Sequence, residues 1–243
     1  MPFEALVFAV AAVLLLGVAK GGFGGIGAPV ALPVMALGVP AETAIGILLP
    51  VLLTIDVFNV ATYRKEADFR TILLALPGAI VGVGLGAALI YAVPGPAVAA
   101  TIGAIAIVFA INMLRGAGGG LRLPRWMAVP FGAASGLTST LAHAGGPPIH
   151  IYLLSRRYPQ LQFVATANMF MAAVNVLKIW PFFAVGALDR TALGIAVWLL
   201  PVAFGAAALG HLIARVLPKV AFKYVVSALM MLAGTKLIID AVL

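Results

Sequence analysis

Of 243 residues, 64% are hydrophobic and only 9% charged, and the mean hydropathy is +1.18. A soluble domain carries roughly a quarter of its residues as charges, so no globular packing could cover this much apolar surface and lipid must be the solvent for most of the chain. The formal charge of +8 points to nucleic acid only in a soluble protein. Here the basic residues sit in short gaps between apolar runs, as the charge bias of membrane proteins produces. With no cysteine, disulfides and thiolate metal sites are excluded.

The first apolar run, 3–19, lacks a basic leader and continues into more apolar sequence, so it reads as part of the mature protein rather than a signal peptide. It meets an interruption, Lys20-Gly-Gly-Phe-Gly-Gly-Ile-Gly-Ala-Pro29, and a shorter run follows over 29–38. About 20 apolar residues cross a bilayer as a helix, and the runs at 43–62, 69–91 and 96–114 meet that standard. After the Arg115–Arg125 loop come two short runs, 126–141 and 148–154, split by His143-Ala-Gly-Gly-Pro-Pro148. Three further spans are predicted at 162–184, 191–214 and 220–240.

The landmarks recur in order. A shift of 118 lays Pro29 on Pro147 and Gly27 on Gly145, and a shift of 119 lays Asp56 and Asn59 on Asn175 and Lys178. Asp68-Phe69-Arg70-Thr71 answers Asp189-Arg190-Thr191 with one residue deleted, and Gly86 and Pro94 lie on Gly210 and Pro218 at a shift of 124. The chain therefore reads as one membrane domain, 1–243, made of two repeats, 1–115 and 122–243. The predicted fold is an all-α polytopic membrane protein in which each repeat is a Gly/Pro-broken segment plus three transmembrane helices. If each broken segment is a re-entrant hairpin the repeats are inverted; if it counts as a span there are eight spans in two parallel repeats. Parallel repeats put seven loop cations inside and five outside (Arg156, Arg157, Arg215, Lys219, Lys223), whereas inverted repeats put eleven inside and only Arg190 outside. The positive-inside bias favours the inverted arrangement.

Paired, broken hydrophobic segments in corresponding halves point to a transporter's binding site. Proline suits the first turn of a helix, so Ala28-Pro29 and Pro147-Pro148 are predicted to start half-helices whose N-termini would attract an anion. Glycine lets a ligand approach the backbone closely, which makes Gly24, Gly25, Gly27, Ala144, Gly145 and Gly146 candidate binding positions. An ionisable residue in a span costs roughly 2.5–3.5 kcal/mol on insertion scales, so Lys20, Asp56, His143 and Lys178 call for a reason. The spacing of three puts Asp56 with Asn59, and Asn175 with Lys178, on single helix faces. A central cavity shared by Lys178, Asn175 and Asp56 is expected, with Lys20 and Thr140 as further ligands. The bland reading of Asp56 is a bridge that locks helices together. His143 and Asp56 are the candidate proton carriers. Hydroxyls at Thr138, Ser139 and Thr140 either hold an oxyanion or bond back to their own helix. Gly78, Gly82 and Gly86 at four-residue spacing read as a packing face, and His150, His211, Lys236 and Asp240 as residues near helix ends.

The two interruptions, Lys20 to Pro29 and Gly136-Leu-Thr-Ser-Thr-Leu-Ala-His143-Ala-Gly-Gly-Pro-Pro148, resemble the paired signatures of the TauE/SafE sulfite exporter family. Asn175-Val-Leu-Lys178, and the Asp56 helix ending in Tyr63-Arg64, fit that pattern too. The resemblance covers nearly the whole chain. It implies a multi-pass protein of the bacterial inner membrane that exports sulfite, sulfoacetate or related organosulfur anions. The residues alone imply only a small anion. No cofactor or metal and no nucleic acid is expected; the partners are the anion and the bilayer, with a homodimer left open. Competing readings are an anion channel, an importer of small carboxylates or sulfonates, and an intramembrane enzyme. The last is disfavoured, because there is no His-Glu-x-x-His motif and Ser135 has only His143 and His150 nearby in sequence.

Overall fold

The computed structural model describes residues 2–22, 25, 27–92, 94–115, 122–213 and 219–242. They form α1 (Phe3–Gly22), α2 (Ala31–Ala36), α3 (Ala41–Tyr63), α4 (Phe69–Ala92), α5 (Gly95–Arg115), α6 (Ala128–Ala142), α7 (Gly146–Ser155), α8 (Gln160–Ala184), α9 (Arg190–Ile213) and α10 (Lys219–Val242). Short 3₁₀ turns at Ala28–Val30 and Arg125–Met127 precede α2 and α6, and there is no strand among the described residues. Each predicted run is helical; the first predicted interruption begins inside the last turn of α1, at Lys20–Gly22, and the second ends inside the first turn of α7, at Gly146–Pro148, so each break is shorter than expected. The glycine-rich stretch 116–120, with the repeat boundary, lies outside the described residues, as do Arg215 and Pro218.

Local chemistry sets the helix starts. Asp68 accepts the N–H groups of Arg70 and Thr71 at 3.0 and 3.2 Å and so caps α4. Its counterpart Asp189 accepts the N–H of Ala192 at 2.6 Å and caps α9. A carboxylate there satisfies amide donors that a helix leaves open and complements its dipole.

Among the described residues, seven helices are long and apolar enough to cross a membrane: α1, α3, α4, α5, α8, α9 and α10. Both broken segments nevertheless turn back on themselves. At the end of the first, a Cβ placed on Gly38 would lie 2.7 Å from Phe8 and 3.0 Å from the Cα of Ala5, so α2 returns toward the start of α1. At the end of the second, Tyr152 near the C-terminus of α7 hydrogen-bonds the carbonyl of Arg125 at 3.4 Å and packs on Phe131, 6.1 Å between ring centroids. Each broken segment is thus a hairpin, and α1 enters from the face to which α2 comes back despite its length.

The remaining helices fix the relation of the halves. Gly103 of α5 meets Gly234 and Ile238 of α10, while Gly234 meets Ile107, so these corresponding helices run antiparallel. Asp56 of α3 touches its counterpart Asn175 on α8, and Ile45 lies near the other end of α8 through His143, which also packs on Phe182. Corresponding helices that cross antiparallel on a shared axis are the geometry of an inverted repeat, as the loop charges indicate.

The hairpins are exchanged between halves. α6 packs on α4, with Gly78, Gly82 and Gly86 against Val129, Ala133, Leu137 and Thr140 and with Gly132 and Gly136 against Ala75 and Ala79. α1 packs on α9 in the same way, through Gly17, Gly21 and Gly210. Backbone atoms, or at Gly17 and Gly86 a neighbouring side chain, approach these glycines so closely that a Cβ would collide, as small-residue packing in membranes allows.

One face gathers the basic loops. Thr166 accepts the N–H of Asp68 at 3.0 Å, and Tyr158 joins Thr71 at 2.8 Å and Asp68 at 2.5 Å, so the 63–69 and 155–160 loops sit together near Arg125. Arg64, Lys65, Arg122, Arg125, Arg156 and Arg157 lie in these segments, and the opposite face carries Arg190. Outward-facing large apolar residues such as Leu73, Val81, Trp180 and Trp198 mark the lipid surface.

Candidate functional site

The two breaks meet at the centre of the molecule. In the first, Gly25 and Gly27 take left-handed backbone, φ 78° and 94°, which glycine adopts without a side-chain penalty. In the second, His143 ends α6 at φ 49°, a conformation a side chain rarely accepts. Gly146, at the start of α7, faces Gly25 across the gap, 3.8 Å from the position of its would-be Cβ to the Gly25 carbonyl. Among the described non-glycine residues, Arg157 in the loop after α7 shares the left-handed backbone of His143, at φ 56°.

Both ring nitrogens of His143 are engaged. Nε2 lies 2.9 Å from the carbonyl of Ile45, and Nδ1 lies 2.9 Å from Nζ of Lys178. A carbonyl only accepts, so Nε2 carries the proton and Nδ1 accepts from the lysine. Lys178 also donates to the carbonyl and hydroxyl of Ser139 at 3.2 and 3.0 Å. Three ammonium protons therefore meet three acceptors, with the ring of Phe182 5.7 Å away. On the other side of the centre, Lys20 forms a buried ion pair with Asp56, whose second oxygen accepts from Nδ2 of Asn175 at 2.5 Å.

A small cavity opens between the breaks, lined by Lys20, Gly25, His143, His150, Asn168 and Asn175, with Ala28, Leu52, Gly146 and Met171 completing the wall. Nδ2 of Asn168 is buried without a hydrogen-bond partner, and so is Oδ1 of Asn175. Buried polar atoms are rarely left unpaired; these two belong to residues of the cavity wall, whereas Asn59, whose amide is likewise unpaired, does not. The buried ionisable side chains among the described residues include Lys20, Asp56, His143, His150 and Lys178, two lysines against one carboxylate.

Of the predicted site residues, Lys20, Gly25, His143, Gly146 and Asn175 line the cavity. Asp56 and Lys178 stand one layer behind it, Asp56 through Lys20 and Asn175 and Lys178 through His143, so the expected direct lining by this pair is corrected. The bridging role of Asp56 is real: it ties α1, α3 and α8 together. Thr140 bonds back to the carbonyl of Gly136 at 2.9 Å, and Thr138 to that of Ala134 at 2.8 Å. Gly27, Ala144 and Gly145 shape the turns, and Gly24 lies outside the described residues. The predicted rows of free amides are also sparser than expected. Gly25, Ala28 and Val30 already donate to Ala19, Gly25 and Gly27, and Pro147 and Pro148 have no N–H to offer.

Sequence reasoning missed two residues. Asn168 lies two helical turns before Asn175, on the same face of α8, and that spacing of seven was the available signal. His150 was assigned to a helix end, but it is only 8% exposed and lines the cavity one turn into α7. Lys236 and Asp240 form an exposed pair at 2.8 Å, away from the centre.

Among known proteins, the family model "Sulfite exporter TauE/SafE" matches residues 9–237, nearly the whole chain. No curated protein and no solved structure matches it.

Proposed function

The chain belongs to the sulfite exporter TauE/SafE family, a family of membrane transporters, and we propose that it is a secondary transporter carrying small sulfur oxyanions, sulfite or sulfoacetate, out across the bacterial inner membrane. The observation that carries this reading is the central cavity and the ionisable side chains around it: a pocket at the meeting of two hairpins, with two buried lysines and one buried aspartate on or just behind its wall. Buried charge is costly unless compensated, and an anion in the cavity supplies the missing partner.

Each wall has a part. Lys20 spends one ammonium proton on Asp56 and keeps two for a ligand. Asn168 offers its unpartnered amide, and His150 offers a ring nitrogen. Lys178 contributes charge from behind His143 and fixes the ring. The two halves, 1–115 and 122–243, supply opposite walls, so rocking one against the other would expose the pocket to either side in turn. An inside-negative potential drives an anion outward, by roughly 2.3 kcal/mol per charge per 100 mV. His143, bonded to Lys178 beside the cavity, is the candidate carrier of a coupled proton.

The test is uptake of sulfite, sulfoacetate, sulfate, lactate and chloride into proteoliposomes, with and without a pH gradient. Saturable sulfite uptake that responds to the gradient is expected. Fast, non-saturating chloride flux indifferent to the gradient would instead identify a channel.

A further inference from the structure

The hydrogen bonds of the centre decide more than the sign of the ligand. Every proton of Lys178 is taken, and both oxygens of Asp56 are held, by Lys20 and Asn175. The bond to Asp56 also settles the orientation of Asn175. A carboxylate can only accept, so the amide nitrogen must face it, and Oδ1 is the unpartnered atom. Around the cavity there are then donors on Lys20 and Asn168, one spare acceptor on Asn175 and, with both lysines protonated, a total buried charge of plus one.

We infer that the cavity selects singly charged oxyanions, and that Asp56 is the residue setting this valence. This rests on reading the cavity as the anion site. A monoanion brings the buried total to zero. A dianion of the same shape leaves an uncompensated negative charge close to the Asp56 carboxylate, which cannot move away because Lys20 and Asn175 pin it. Without Asp56 the count would be plus two and would suit a dianion. The spare acceptor acts in the same direction: a protonated oxyanion such as hydrogen sulfite offers Oδ1 of Asn175 a proton, and a fully ionised one does not. Sulfoacetate, with a sulfonate and a carboxylate, therefore fits only with its carboxyl protonated.

The experiment uses the full-length protein in proteoliposomes and measures competition against sulfite uptake at one fixed pH. Methanesulfonate and sulfate are the competitors, because they are close in shape and differ by one charge. Methanesulfonate should compete at least about a hundredfold more strongly, the scale of one uncompensated charge near contact in a protein-like dielectric. Asp56→Asn should narrow that ratio to within about tenfold or reverse it, and Asp56→Glu, which keeps the charge, should preserve it and so separates charge from damage to packing. Sulfate competing as well as methanesulfonate in the wild type overturns the inference. So does a normally folded Asp56→Asn protein with the wild-type ratio. If sulfite itself is not taken up, the transporter reading fails instead, so the two failures are distinguishable.

Discussion

Lys178→Met tests whether the site works through charge held behind its wall. Lys178 is fully buried, makes no direct contact with the cavity, and reaches it through the ring of His143. A unit charge one ring's width away, roughly 6–8 Å, is worth roughly 2–3 kcal/mol to an anion at an effective dielectric of about 20. Its removal should weaken sulfite binding by roughly 30- to 150-fold at that scale. Methionine is close to lysine in length and fills most of the space. The variant does lose the donor to the Ser139 hydroxyl and to His143, at about 1–3 kcal/mol for each group left unsatisfied. Against this, a buried cation without its own carboxylate no longer has to be desolvated. The net effect on folding should therefore be small, while Lys20→Met, which orphans Asp56, should lower thermal stability clearly. The assay is the half-saturation constant for sulfite in proteoliposomes beside a melting curve in detergent. Unchanged affinity in a well-folded Lys178→Met protein would refute a role for Lys178 in holding the anion.

Other outcomes are equally direct. Single cysteines at Arg156 and Gly95 should label from opposite sides of the membrane; labelling from one side would rule out inverted halves. Gly82→Ala forces a Cβ into the Ala133 carbonyl and should destabilise the fold by about 1–3 kcal/mol. Gly84→Ala, with nothing within 4 Å, should be neutral or stabilising in the same melting assay. His143→Gln should flatten the pH dependence of uptake, and a wild-type profile would remove His143 from coupling. Burial alone would raise the Asp68 carboxyl, but hydrogen bonds from Tyr158, Thr71 and Arg70 win and hold it below the usual carboxylate range. Its stabilising effect is present above the unfolded-state value and is lost as pH falls through the folded one. Asp68→Asn should accordingly lose part of the acid dependence of stability, and an unaltered acid limb in thermal melts would contradict the cap.

The sequence carried the helices because each apolar run is long and bounded by charges, glycines or prolines. It carried the two breaks because glycine and proline cannot continue a helix at those positions. The pairing of Asp56 with Asn175 was legible from the repeat shift, since a residue and its counterpart meet on the symmetry axis. The layering of the site was not. Whether Lys178 faces the cavity or stands behind His143 depends on the rotation of α8, and neighbouring apolar residues specify that only loosely in a helix apolar on most sides. The free-amide expectation failed for a local reason: the loop at Gly25–Val30 closes its own hydrogen bonds, and prolines occupy the first turn of α7. Asn168 and His150 were hidden by standing alone in otherwise apolar runs.

The exchange of hairpins between halves has a consequence for how the protein is made. Residues of α1 leave the ribosome long before their packing partner α9, which begins at Arg190. Until then α1 sits in the bilayer with its glycine seam against lipid, and Lys20 is neutralised only once α3 has followed it. The second hairpin has no such wait, because α4 is already in place when α6 emerges. Insertion should thus proceed in order while final closure is delayed to the last third of synthesis, and neither half should survive proteolysis unless the other is expressed beside it.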